Sequence, residues 1–289
     1  MTEINGPRRC LRQFIDAQCF TRTVNVTKLE FIRMPPLHKW EITVSSGSYF
    51  PHLAQNFPGD DISLSDEDEE EQGIAFYAYS RHVDELDTPA GAAQRIYSLQ
   101  LLLNGALRLE WEGVHTHSVR FNTFGRIGSG EINSVYARSI EENPFSESSV
   151  IDEGLGYCKN PKVKFSAHLL YLAKTDEDLR TLLFLVGLVS TESPIESILT
   201  WNTLYRIVDT VKNNAKYLNC SLEEFADKNK IKAFKAACNN MSIIGLNARH
   251  GAANNEPPPQ VITDLDEAIN LIIPMATKFC QFYVQARHP

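Results

Sequence analysis

The chain has 289 residues, of which 43% are hydrophobic and 22% charged, with a formal net charge of −8. That balance supports a sizeable core in one large domain or two ordinary ones. It argues against non-specific DNA binding over the whole surface, because such surfaces are basic, while a local basic groove stays compatible with it.

In chain order, TKLEFIRM (27–34), WEITVSS (40–46), GIAFYAYS (73–80) and HTHSVRF (115–121) carry strand-like alternation or β-branched and aromatic enrichment. Among them, PAGAAQRIYSLQLLLNGALRLEWEG (89–113) predicts one long helix. Ile96, Leu99, Leu103 and Leu107 form one buried stripe along it, and Thr88 followed by Pro89 marks its start. The acidic run SDEDEEEQ (65–72) repels itself and predicts a solvated or disordered loop. ENPFSESSVIDEGLGYCKNPKV (142–163) is rich in Ser, Pro, Gly and Asn and reads as a linker.

From Lys164 onward the pattern is helical. HLLYLAKT (168–175) and the acid-first DEDLRTLLFLVGLV (176–189) come first, then a helix opened by Ser193 as N-cap and Pro194. Ser221 and Glu224 form a capping box at the start of SLEEFADK (221–228), followed by IKAFKAACNNM (231–241). The last helix, 263–288, is acid-first and basic-last, with Pro274 expected to kink it. The expected fold class is therefore α+β: a strand-rich N-terminal domain with one long helix (1–150), the linker at 142–163, and a mostly α-helical bundle domain (164–289). Amphipathic bundles pair readily, so a protein partner or a self-dimer through the helical half is expected.

Several motifs tempt. GRIGSGEINSVYARSI (125–140) looks like a phosphate-binding glycine loop, but Asn133 takes the third glycine position. No Val-Ala-Ile-Lys, His-Arg-Asp or Asp-Phe-Gly follows, so a glycine-rich hairpin turn is the expectation. His115 and His117 would share a strand face, yet no spacing fixes further ligands, and no metal or cofactor is expected. The cysteines at 10, 19, 158, 220, 238 and 280 form no CxxC, and Cys238 reads as packing rather than a nucleophile. Scattered thiols, no leader-like apolar region and no stretch long enough to span a bilayer predict a cytoplasmic protein without membrane contact.

Three segments carry a resemblance. They are W-x-x-L-Y-R-I at Trp201–Ile207, F-K-x-x-x-N at Phe234–Asn239 leading to G-x-x-x-R-H-G at Gly245–Gly251, and L-N-G-A-L-R-L at Leu103–Leu109. In this order they resemble a group of largely uncharacterised bacterial two-part proteins. The helical half also resembles HEPN-type domains, helical bundles of bacterial toxins, antiviral effectors and CRISPR-linked ribonucleases. That resemblance implies a dimer in which Arg and His, four to six residues apart, cleave RNA without metal. Here the spacing differs: Gly245 and Leu246 stand where Arg-Asn would begin, and Arg249 adjoins His250. Adjacent helical residues point about 100° apart, so the pair does not share a helix face.

Two functional expectations result. In the first, the protein is a binding or regulatory subunit, a sensor or accessory chain in a bacterial defence or stress system. In the second, it is a metal-independent HEPN-type endoribonuclease using Arg249 and His250, with RNA as substrate. Lys235, Asn239 and Asn247 are the candidate binding residues around that pair. The competing structural expectation is that Arg249–His250–Gly251 is a basic helix C-terminus closed by glycine.

Overall fold

Trp40, Ile42 and Val44 are buried and alternate with half-buried Glu41 and Thr43, so strand β1 (Trp40–Val44) presents one apolar face. The computed structural model describes residues 38–45, 61–69, 73–111, 118–146, 164–251 and 259–288. β1 is the central strand of a five-stranded antiparallel sheet ordered β2-β3-β1-β4-β5. Its other strands are β2 (Ser63–Glu69), β3 (Gly73–Tyr79), β4 (Phe121–Arg126) and β5 (Asn133–Ser134).

Two expectations for the strands need correction. The acidic run at 65–72 is not a loop up to Glu69: it is most of β2, paired with β3 from Ser63↔Tyr79 to Glu69↔Gly73. Charge forbids burial of the side chains, not pairing of the backbone, and β2 is an edge strand, where charged residues are tolerated. Of the strand expected at 115–121, the described residues 118–120 are not in a strand and β4 begins at Phe121. The register against β1 shifts between Thr43 and Val44, leaving Asn122 as an extra residue, and such a bulge breaks the period of two. The glycine-rich stretch forms the expected hairpin, with Thr123↔Ser134 and Phe124↔Asn133 paired. The strand expected at 27–34, His115 and His117, and linker residues 147–163 lie outside the described residues.

After the short helix α1 (Arg81–Asp84), the long helix α2 (Pro89–Glu110) is capped by Thr88, whose side chain accepts from the Gly91 N–H. The expected stripe understates its burial. Residues 101–107 are buried on every side, because α2 packs on β4 and also on α3 (Phe165–Ala173), α4 (Glu177–Gly187) and α8 (Leu265–Arg287). Asn104 ties α2 to the approach to β4, accepting from Val119 N–H at 2.8 Å and donating to Val119 O at 3.0 Å.

The α2–α4 crossing is unusually close. A Cβ on Gly105 would lie 2.1 Å from Leu183 O, and one on Gly187 would lie 2.0 Å from Leu101 O. Each glycine lets the other helix's backbone sit where a side chain would be. α4 then packs on α5 (Pro194–Tyr217), and α5 on α8 and α6 (Lys228–Cys238). The buried residues of the sheet and helices, from Trp40 to Val284, form one core.

Ser193 caps its helix as expected, accepting from Glu196 N–H, and the acid-first starts hold two further caps, Asp176 accepting from Leu179 N–H and Asp264 from Glu267 N–H. One expected helix is corrected. Residues 221–228 hold only a 3-10 turn, Leu222–Glu224, although Ser221 N–H does donate to Glu224 Oε1 at 2.7 Å. The turn stops because Phe225 is drawn into an edge-to-face contact with Phe279, and Asp227 opens α6 instead. No helix among the described residues is long and apolar enough to cross a membrane.

Candidate functional site

Helices α5 and α6 are held side by side by Trp201 and Phe234, whose rings stack at 5.9 Å and 13°. One turn beyond Trp201, Tyr205 is 8% exposed. The positions that follow it on the same face are Asp209, Lys212 and Lys216, at steps of four, three and four. On α6 the matching face carries Lys228, Lys232, Lys235 and Asn239, at steps of four, three and four. Facing one another, the two faces form a basic seam.

Its best-ordered part surrounds Tyr205. Lys235 Nζ lies 4.7 Å from the Tyr205 ring centroid and donates to Asp209 Oδ1 at 2.7 Å. Arg249 Cζ lies 4.5 Å from the same centroid. Two cations share one ring and only Lys235 is paired with a carboxylate, Asp209, so among the described residues a surplus positive charge sits on a buried aromatic.

Arg249 reaches this position because the chain folds back after α6. Asn240 caps the single-turn helix α7 (Met241–Ile244), accepting from Ser242 N–H. Gly245 then takes φ +59, the left-handed range that glycine enters freely, and a 3-10 turn follows over Gly245–Asn247. Ala248 is extended, and Arg249 N–H donates to Cys238 O at 2.7 Å. Arg249–His250 is therefore not the last turn of a helix, since α7 ends at Ile244. It is a return segment whose backbone satisfies a carbonyl of α6's last turn.

The sequence-expected residues part company here. Lys235 and Arg249 meet on Tyr205. Asn239 is one turn from Lys235, and its buried Oδ1 has no hydrogen-bond partner among the described residues. Asn247 is used locally, donating to Ile244 O at 3.0 Å. His250 is exposed, and among the described residues no side chain orients its ring. Tyr205, Lys212, Lys216, Lys228 and Lys232 were not singled out from the sequence. Their signal was there, as cationic positions at helical spacing on two successive helices.

Towards the other end, a cavity of about 300 Å³ opens between α5, the 3-10 turn and α6. Lys212, Lys216, Lys228 and Lys232 line it, over a floor that includes Leu222 and Ile231. The half-buried Cys220 also faces it, with a thiol raised above its usual pKa by burial and then by Glu224. Burial pushes the Cys238 thiol up to about 12, so it stays protonated at neutral pH and is no nucleophile.

Two other polar clusters are structural ties. Asp176 accepts from Tyr283 Oη–H at 2.9 Å and meets His288 Nε2 at 3.0 Å, joining the start of α4 to the end of α8. His82 is fully buried, with Nε2 2.9 Å from Asp61 Oδ1 and Nδ1 accepting from Ser146 N–H at 3.0 Å. Lys174 Nζ closes on the same Asp61 oxygen at 2.5 Å. Among the described residues no three His, Cys, Asp or Glu side chains are grouped to hold a metal.

No family model, no curated protein and no solved structure matches the chain.

Proposed function

We propose that the protein is a binding or regulatory subunit, a sensor or accessory chain acting in the cytoplasm in a bacterial defence or stress response. On this reading its HEPN-like helical half holds an anionic partner along the α5–α6 seam, and RNA is the polyanion it is suited to. The observation that carries the reading is the surplus charge on Tyr205, where Arg249 and Lys235 share one ring in a chain of net charge −8. A phosphate placed there would neutralise charge that the described residues leave uncompensated. As a regulatory subunit it would act through a second protein or a second copy of itself.

A second reading is the metal-independent ribonuclease. Its support is that exposed His250 follows an Arg249 already fixed in place. An imidazole there could move the 2′-OH proton while the guanidinium steadies the phosphorane. Binding is the better-supported of the two, because no side chain among the described residues holds the His250 ring in one tautomer and orientation.

The test is single-stranded RNA incubated with wild-type protein, Arg249→Gln with Lys235→Gln, and His250→Ala. Retention without cleavage, weakened at least tenfold in the Arg249/Lys235 variant, is expected. Cleavage lost in His250→Ala would replace the binding reading with the nuclease one. RNA held equally well by the Arg249/Lys235 variant would remove Tyr205 and its cations from the argument.

A further inference from the structure

The cavity beyond Lys235 has a chemistry of its own. Five lysines line it, at 212, 216, 228, 232 and 235, against a single carboxylate, Glu223. Lys228 is occupied by Glu223 at 3.1 Å, and Lys235 by Asp209. Lys212, Lys216 and Lys232 have no anionic partner among the described residues. Three uncompensated ammonium groups around one concavity repel one another, and an anion with more than one charge relieves that repulsion.

The floor narrows the choice. Leu222, Ala226 and Ile231 supply it, and no aromatic side chain among the described residues lines the cavity. A track for single-stranded nucleic acid pairs its lysines with aromatic faces on which bases stack. A wholly polar anion, such as a sugar phosphate, would leave the aliphatic floor wet. A volume of about 300 Å³ lies at the small end of ligand sites. We propose that this cavity binds a small organic phosphate or diphosphate whose body is compact and apolar, the phosphate meeting Lys212, Lys216 and Lys232 and the body resting on Leu222 and Ile231.

The inference rests on the reading that this face holds anions, and it makes the chain a sensor of a small phosphorylated molecule. Cys220 provides a reporter inside the site. Its half-buried thiol donates to Ala215 O at 3.3 Å and should alkylate slowly but measurably, while Cys238 and Cys280 are buried.

The experiment is calorimetric titration of the full chain with dimethylallyl diphosphate, adenosine 5′-diphosphate and inorganic pyrophosphate. It is combined with peptide-mapped iodoacetamide labelling of Cys220 at each saturating concentration. Dimethylallyl diphosphate is expected to bind tenfold or more tightly than pyrophosphate and to slow Cys220 alkylation at least fivefold. Lys216→Gln with Lys232→Gln, both at exposed positions, should abolish the heat. Tighter binding of adenosine 5′-diphosphate than of dimethylallyl diphosphate, whose body is the compact apolar one, overturns the proposal. Equal binding of pyrophosphate, an unchanged Cys220 rate, or heat that survives the lysine changes overturns the proposal. If RNA is retained while every small probe is silent, this proposal falls and the anion-binding reading of the seam stands. If RNA and probes all fail, both fall.

Discussion

At the scale of single residues, the described chain spends its buried carboxylates on holding elements together. Asp176 is the clearest case. Burial alone would raise its pKa, but the Leu179 N–H, His288 and Tyr283 outweigh that and hold it below its usual value. Asp61 is likewise pushed up by burial and brought below its usual value by His82 and Lys174. A carboxyl depressed in the folded state adds stability that is complete above its unfolded pKa, about 4, and is lost as pH falls through the folded value. The denaturant midpoint should therefore be flat from pH 7 down to about pH 5 and drop below about pH 4, where these carboxylates begin to bind protons. Asp176→Asn should start from a lower midpoint and lose less on acidification. A midpoint in the variant that falls as steeply as the wild type would remove Asp176 from the account. The sequence offered Asp176 only as an acid at a helix start. Its bonds to Tyr283 and His288 span over 100 residues of chain, which no local pattern can encode.

At the scale of elements, caps were the most legible feature, because they are local chemistry: Thr88 and Ser193 each accept the backbone N–H that their positions suggested. What the sequence hid was whatever depended on a neighbour. The bulge at Asn122 needs the β1 register, and the all-round burial of α2 needs α4 against its back. Gly105 and Gly187 sit in helices, where alanine should improve propensity by ~1 kcal/mol. Here the added Cβ would meet a backbone oxygen near 2 Å, which a side-chain rotation cannot relieve. Overpacking of this kind costs about 3 kcal/mol, so Gly105→Ala should destabilise by a net ~2 kcal/mol in urea unfolding. A stabilised Gly105→Ala would mean that α2 and α4 separate more freely than this crossing allows. The corresponding change at Gly245 meets open space, so its penalty is the backbone strain of φ +59 with ψ −133, about 1–3 kcal/mol.

At the scale of the whole molecule, the charge of −8 and the basic seam belong together. In a protein of net negative charge, gathered cations concentrate the attraction for nucleic acid on the seam, so binding should be weak at high salt. If Lys235 and Arg249 neutralise phosphates, log affinity for single-stranded RNA should fall against log salt with a slope of about −1.4. A slope near zero would point to a non-ionic partner. The seam was half legible: Lys235 and Arg249 stood out in the sequence, but Tyr205, which brings them together, belongs to a different helix and looked like core. The acidic edge strand has a separate consequence, for how the protein behaves in a crowd. One rim of the sheet is β5, only two residues long, and the other is β2, which carries four consecutive carboxylates from Asp66 to Glu69. A foreign strand gains little backbone on the first rim and meets a wall of negative charge on the second. Concentrated solutions of this chain should therefore stay free of fibrils near neutral pH, and seeding should become possible only when acid discharges that rim.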